Sequence, residues 1–108
     1  FLLNIETLDI SEDNIPTAYS LKSAYPNPFN PVTAIEYELP IKEFVSIHIY
    51  DLMGRKIKTL INNVMDPGYR TITWNATNDL GQSVSAGMYI YTIHAGDFRQ
   101  TKKVVLLK

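Results

Sequence analysis

Cysteine is absent from this 108-residue chain, which excludes a disulfide frame and a thiolate metal site and leaves the redox compartment unmarked. Histidine is nearly so: only His48 and His94 could titrate near neutrality, and neither stands in an H-E-x-x-H or G-x-S-x-G setting. An excess of charge of one sign is missing as well. Ten basic residues against eleven acidic ones leave a formal net charge of −1, a weak overall field that argues against an electrostatic binder of nucleic acid or of an anionic membrane surface. No apolar run approaches the ~20 residues of a membrane span. The opening FLLNIETLDI is apolar, but Asn4, Glu6 and Asp9 interrupt it, and it has no basic start and no small-residue cleavage site. It does not read as a signal peptide; if the protein is exported, the export signal lies elsewhere or on a longer parent chain.

What remains is short alternating segments. TAIEYEL (33–39) sets Ile35, Tyr37 and Leu39 against Glu36 and Glu38, and FVSIHIY (44–50) sets Val45, Ile47 and Ile49 against Ser46 and His48; period 2 is the mark of half-buried strands. D-L-M-G-R-K offers a turn with Gly54 at positive φ, and RKIKTLI (55–61) resumes as a third strand, so residues 44–61 form a hairpin. Ile57 and Leu60 differ in parity, which predicts a bulge. Pro67-Gly68 fits a type II turn that reverses the chain. YRTITW, MYIYTIHA and FRQTKKVVLLK follow as strands, with Gly81 in a left-handed position in the loop after Trp74 and Ser83-Val84 as a short edge strand. Seven strands without a helical period give an all-β antiparallel sandwich. Its core is expected to gather Ile35, Tyr37, Val45, Ile47, Ile49, Ile72, Trp74, Tyr91 and Ile93. Residues 1–20 are more acidic and less regular and read as a linker or N-terminal extension, leaving 21–108 as one domain.

Chemistry is sparse. Asn75, Asn78 and Asp79 crowd one loop but lack the alternating carboxylates of a calcium site, and Asx turns account for them better. Asp51 reads as a turn cap and not as a general base. The aromatics mostly share parity with core aliphatics; Phe44, Tyr50 and Tyr69 leave a smaller case for a carbohydrate-binding face. Two stretches break the pattern. YPNPFNP (25–31) has three prolines in seven positions, so it can be neither helix nor central strand. Val104 to Leu107 are apolar on both faces, flanked by Lys102, Lys103 and Lys108, as in a central strand or in an edge that awaits a partner.

YPNPFNPVTAIEYELP, VSIHIYDLMGRKIKTL, GYRTITWNATNDLGQSVSAGMYIYTIHAGDF and the terminal KKVVLLK, in this order and spacing, resemble the C-terminal sorting domain of type IX secretion cargo. That domain is an immunoglobulin-like sandwich related to the second domain of flagellar hook-capping proteins, and the resemblance covers about residues 19–108. It implies a secretion signal, not an enzyme. By position, the lead-in motif falls on Tyr25, Pro26, Asn27, Pro28 and Phe29, the central motif on Asp51, Gly54 and Arg55, and the glycine-tyrosine strand start on Gly87 and Tyr89. The tail falls on Lys103, Val104, Val105, Leu106, Leu107 and Lys108, with Val105 and Leu106 where many members carry a methionine or another small apolar pair. The implied partners are secretion-apparatus proteins at the outer membrane and an upstream cargo domain, with no cofactor, no metal, no nucleic acid and no membrane insertion. The implied route is through the periplasm to the cell surface or the medium. Phe29 is expected to plug the end of the sandwich while the prolines keep the lead-in from pairing with the first strand. An accessory β-sandwich domain of a secreted enzyme and a carbohydrate-binding module are the rival readings.

Overall fold

The computed structural model describes residues 15–108, so most of the linker assigned to residues 1–20 lies outside the described residues. Seven strands follow in chain order: β1 (Ser20–Leu21), β2 (Thr33–Leu39), β3 (Glu43–Tyr50), β4 (Lys56–Met65), β5 (Gly68–Trp74), β6 (Gly87–Ala95) and β7 (Phe98–Leu106). They form two antiparallel sheets, β1-β2-β5 and β4-β3-β6-β7, an all-β sandwich of the immunoglobulin-like kind. The alternation in sequence is the alternation in burial. In β2 and β3 every second residue is buried, and Ile35, Val45, Ile47, Ile49, Tyr91 and Ile93 are fully closed off from solvent, with Tyr37 and Trp74 nearly so. Ile72 differs from expectation. It lies only partly buried against the core, because β5 is the outer strand of its sheet.

The bulge inferred from parity is present, and twice. Ile47 faces Ile61 but His48 faces Thr59, and Ile49 faces Lys58 but Tyr50 faces Lys56, which leaves Leu60 and Ile57 as the two extra residues of β4. Each bulge returns an apolar side chain to the core side, and both residues pack against it.

Four boundaries depart from the sequence reading. β4 does not stop at Ile61 but runs to Met65, since Asn62 and Asn63 pair with Ser46 and Val45 and the ladder outweighs their poor strand propensity. Asp66-Pro67 makes no hairpin: β4 and β5 belong to different sheets, and Gly68 opens β5 at φ +143°, well beyond the ~+80° of a type II turn. Ser83 contributes a single bridge to Thr77 in place of an edge strand. Finally, the lead-in does pair with the first long strand: Ser20 and Leu21 face Glu38 and Tyr37, Lys22 N–H donates to the Glu36 carbonyl, and Tyr25 and Ala34 exchange both backbone bonds. These residues precede Pro26 and keep their N–H donors, so the prolines cannot prevent it.

Tyr91 joins the two sheets. Its buried hydroxyl donates to the Lys22 carbonyl at 2.9 Å and accepts from Ala24 N–H at 2.7 Å, which satisfies a polar tip that would otherwise be costly to bury.

Candidate functional site

Antiparallel pairing decides which loops meet. β2, β4 and β6 begin where β3, β5 and β7 end: Thr33 faces Trp74, Tyr50 faces both Lys56 and Ile90, and Gly87 faces Leu106. The lead-in, the D-L-M-G-R turn, the loop after Trp74, the Gly87–Tyr89 start and the C-terminal tail therefore share one end of the sandwich. The opposite end carries the β2–β3, β4–β5 and β6–β7 connections, with Tyr19 stacked on Phe98 at 5.3 Å.

Inside the motif-bearing end lies an aromatic plug. Phe29 is 1% exposed and packs on Trp74 at 5.5 Å, and Trp74 meets Tyr89 edge-on at 5.2 Å. The polar tips are used: Trp74 Nε1–H donates to the Thr77 carbonyl and the Tyr89 hydroxyl to the Ser85 carbonyl. Burial pushes the Tyr89 hydroxyl pKa up, and the Asp51 charge adds to the shift. Phe29 thus plugs the sandwich as expected.

On the rim, the proline strip closes the C-terminal end of the outer edge of β7. Phe29 N–H donates to the Val105 carbonyl and Leu107 N–H to the Phe29 carbonyl, each at 2.9 Å. The Asn27 side chain extends this pairing by one step, its Oδ1 accepting from Val105 N–H at 2.9 Å and its Nδ2 reaching the Lys103 carbonyl at 3.4 Å. An amide side chain here stands in for a strand residue that proline cannot supply. Thr33, buried, holds the strip from behind through a bond to the Pro26 carbonyl. Val104 and Leu106 point into the core, whereas Lys103, Leu107 and Lys108 are exposed and Val105 is half-buried. Val104 to Leu107, read as a central strand or an edge that awaits a partner, end an edge strand whose outer side at residues 105–107 is already occupied by the chain's own lead-in.

The central motif is a turn built around one carboxylate. Asp51 Oδ1 accepts from Met53 N–H and Arg55 N–H, and Oδ2 pairs with Arg55 Nε at 2.8 Å. Gly54 N–H donates to the Asp51 carbonyl and Asp51 N–H to the Arg55 carbonyl, with Gly54 at φ +84°, which a side chain would resist. The Arg55 N–H, foremost among these partners, holds the Asp51 carboxyl below the usual carboxylate range. Asn78 repeats the arrangement bond for bond. Its Oδ1 accepts from Leu80 N–H and Gln82 N–H, its Nδ2 donates to Gln82 Oε1, and Gly81 bonds back to its carbonyl at φ +81°. The spacing shared by D-L-M-G-R and N-D-L-G-Q was the signal that could have found it.

Asp79 serves a different purpose. Its N–H donates to the Ile57 carbonyl and its Oδ1 accepts from Thr59 N–H, so this loop closes part of the outer edge of β4 as the strip closes that of β7. Asn78 and Asp79 spend their oxygens on backbone N–H groups, and no group of three or more metal-capable side chains gathers among the described residues. His48 and His94 stand on β3 and β6; His48 bonds Thr59, and burial, followed by the charges of Lys56 and His94, pushes its pKa down. Of the aromatics expected to offer a sugar-binding face, Phe44 and Tyr50 share the outward side of β3 but lie six residues, about 20 Å, apart, with Tyr50 half-buried, and exposed Tyr69 stands on β5 of the other sheet; they make no common platform for sugar rings.

Residues 23–107 match the family described as "Secretion system C-terminal sorting domain". The chain belongs to this family. It is a sorting-signal domain for type IX secretion, a non-catalytic unit, and the protein that bears it is secreted or displayed at the cell surface. The sorting domain is similar in fold to part of dimeric latent PorU from Porphyromonas gingivalis, with a TM-score of 0.64 and 17% identity over 85% of this chain and 10% of that one. It is likewise similar to part of PorZ, an essential surface component of the type-IX secretion system of the same organism, with a TM-score of 0.56 and 18% identity over 84% of this chain and 12% of that one. The sorting domain thus spans about a tenth of either structure's length. No curated protein matches its sequence.

Proposed function

We propose that the end of the sandwich where strip and tail meet is the surface that a component of the type IX apparatus reads at the outer membrane. On this reading residues 21–108 are the signal, residues 1–20 link it to an upstream cargo domain, and the cargo reaches the reader from the periplasm. The carrying observation is the clamp of Asn27 and Phe29 on Lys103, Val105 and Leu107. It joins the two family motifs farthest apart in sequence into one rigid surface. Because the β7 edge at residues 105–107 is taken, recognition falls to side chains: Lys103, Val105, Leu107 and Lys108 face the reader, and buried Val104 and Leu106 hold them down. The lysines steer the encounter. A wider kinship with the immunoglobulin-like domains of hook-capping proteins fits the two-sheet architecture.

The test is export of a reporter fused ahead of the whole chain in a host with the type IX system. Deleting the tail would remove Val104 and Leu106 from the core, so the variant of choice reverses only outward groups: Lys103→Glu, Leu107→Ser and Lys108→Glu together. Expected is a folded fusion trapped in the periplasm; normal export of that variant refutes the tail's role.

A further inference from the structure

Each of the two matching turns holds up an apolar side chain that the turn itself does not require. The third position is Met53 in one, 80% exposed, and Leu80 in the other, 81% exposed, with Leu52 beside Met53 at 64%. Only the backbone N–H of that position enters the turn, donating to Asp51 or Asn78, so serine or asparagine would close it equally well. One exposed Leu or Met is unremarkable on a protein surface. Here two occupy equivalent positions of equivalent turns at the same end of the fold. The loops carrying them are tied together, since Asp79 bonds the start of β4 at Ile57 and Thr59, and Lys58 Nζ reaches the Asn78 carbonyl.

We infer that Met53 and Leu80, with Leu52, are anchors that enter an apolar, acid-rimmed concavity on a protein of the secretion apparatus. The inference rests on the recognition role proposed above and names what that surface grips besides the tail. Two convex tips offer one another no pocket, so the same patch on a second copy is not the complement. Lys56 and Lys58 flank the knobs, Asp51 is paired with Arg55, and Asp79 is the one further carboxylate of these two turns, so the surroundings keep a small positive excess and the complement is an acidic rim. Fixed spacing on rigid turns suits a protein pocket, whereas a fluid bilayer has no use for it. Sheet order places the knobs on the β3–β4 side and the tail on β7, about three strand spacings or ~14 Å apart. One partner covering about 800 Å² reaches both.

The experiment uses the reporter fused to the whole chain, comparing wild type with Met53→Ser, Leu80→Ser and both together, and with Met53→Gln plus Leu80→Gln as a pair of similar length. Exported fraction, thermal unfolding and sedimentation with phosphatidylethanolamine–phosphatidylglycerol vesicles are measured. The double variants should melt as wild type does and export about tenfold less or worse, the scale of losing buried interface anchors; the single variants should fall between. Wild type should not sediment with vesicles. If a folded double variant is exported at the wild-type level, the knobs carry no recognition and the role of the tail stands. Vesicle binding by wild type that the double variant loses would overturn the protein pocket in favour of a lipid surface. A wild-type fusion retained in the periplasm overturns the recognition role and this inference with it.

Discussion

Asn27→Ala tests whether the lead-in really holds the tail. The substitution removes the acceptor of Val105 N–H, bonded at 2.9 Å, and the donor to the Lys103 carbonyl, a longer contact at 3.4 Å. The second is too long to count for much. One well-formed side-chain bond at the rim contributes about 1 kcal/mol net, and nothing apolar is uncovered, since Asn27 is itself exposed. For a domain of this size that cost lowers the melting temperature by about 4–8 °C. Local opening of the clamp becomes easier by the same amount and Val105 N–H loses its acceptor outright, so amide exchange at Val105 should accelerate by at least about fivefold, while that of Ile47 in the central strand follows only global stability. Asn27→Asp is the control. It keeps the acceptor for Val105 N–H and turns the long contact into two facing oxygens, from which the exposed carboxylate can swing toward solvent, so Val105 should stay far better protected than in Asn27→Ala. Thermal unfolding by circular dichroism and hydrogen exchange by NMR read both quantities. An Asn27→Ala protein with unchanged melting and unchanged Val105 exchange would refute the clamp.

Trp74→Ala should destabilise by about 3–5 kcal/mol, as large aromatic-to-alanine core changes do, because Trp74 is 1% exposed between Phe29 and Tyr89; a loss below about 1 kcal/mol in chemical denaturation would place it outside the core. Asp51 gives a pH dependence of known sign. Its folded-state pKa is depressed, so its contribution is complete above the unfolded value of about 3.9 and is lost as the pH falls through the lower folded value. Asp51→Asn should remove that part of the acid dependence while preserving the turn, since Asn78 closes the same turn without a charge; an acid profile identical to wild type would show that other groups set it.

Much of this fold was legible in the chain because β-strands write themselves with period 2. Ile35, Tyr37, Val45, Ile47 and Ile49 could be assigned to one interior, and the parity clash of Ile57 and Leu60 announced the bulges. The places where the reading slipped are those where local preference lost to a ladder or a sheet boundary. Asn62-Asn63 looks like a turn and is strand because β3 lies alongside; Pro67-Gly68 looks like a hairpin turn and is a passage between sheets.

By itself the sequence determined the all-β class, the inward residues, the turn chemistry of Asp51-x-x-Gly54 and the inability of YPNPFNP to be an ordinary strand, all of which are local or periodic properties. Only the tertiary structure decided what the strip pairs with. Asn27 and Val105 are 78 residues apart, and no spacing rule links them; they meet because antiparallel β6 and β7 bring the C-terminus back to the end where β2 begins. The same reversal gathers the lead-in, the Asp51 turn and the Gly87–Tyr89 start beside the tail. The end of an edge strand that looked ready for a foreign partner is covered instead at residues 105–107, because unpaired N–H and C=O groups are most cheaply satisfied by the nearest chain able to pair with them, and here that chain is the protein's own.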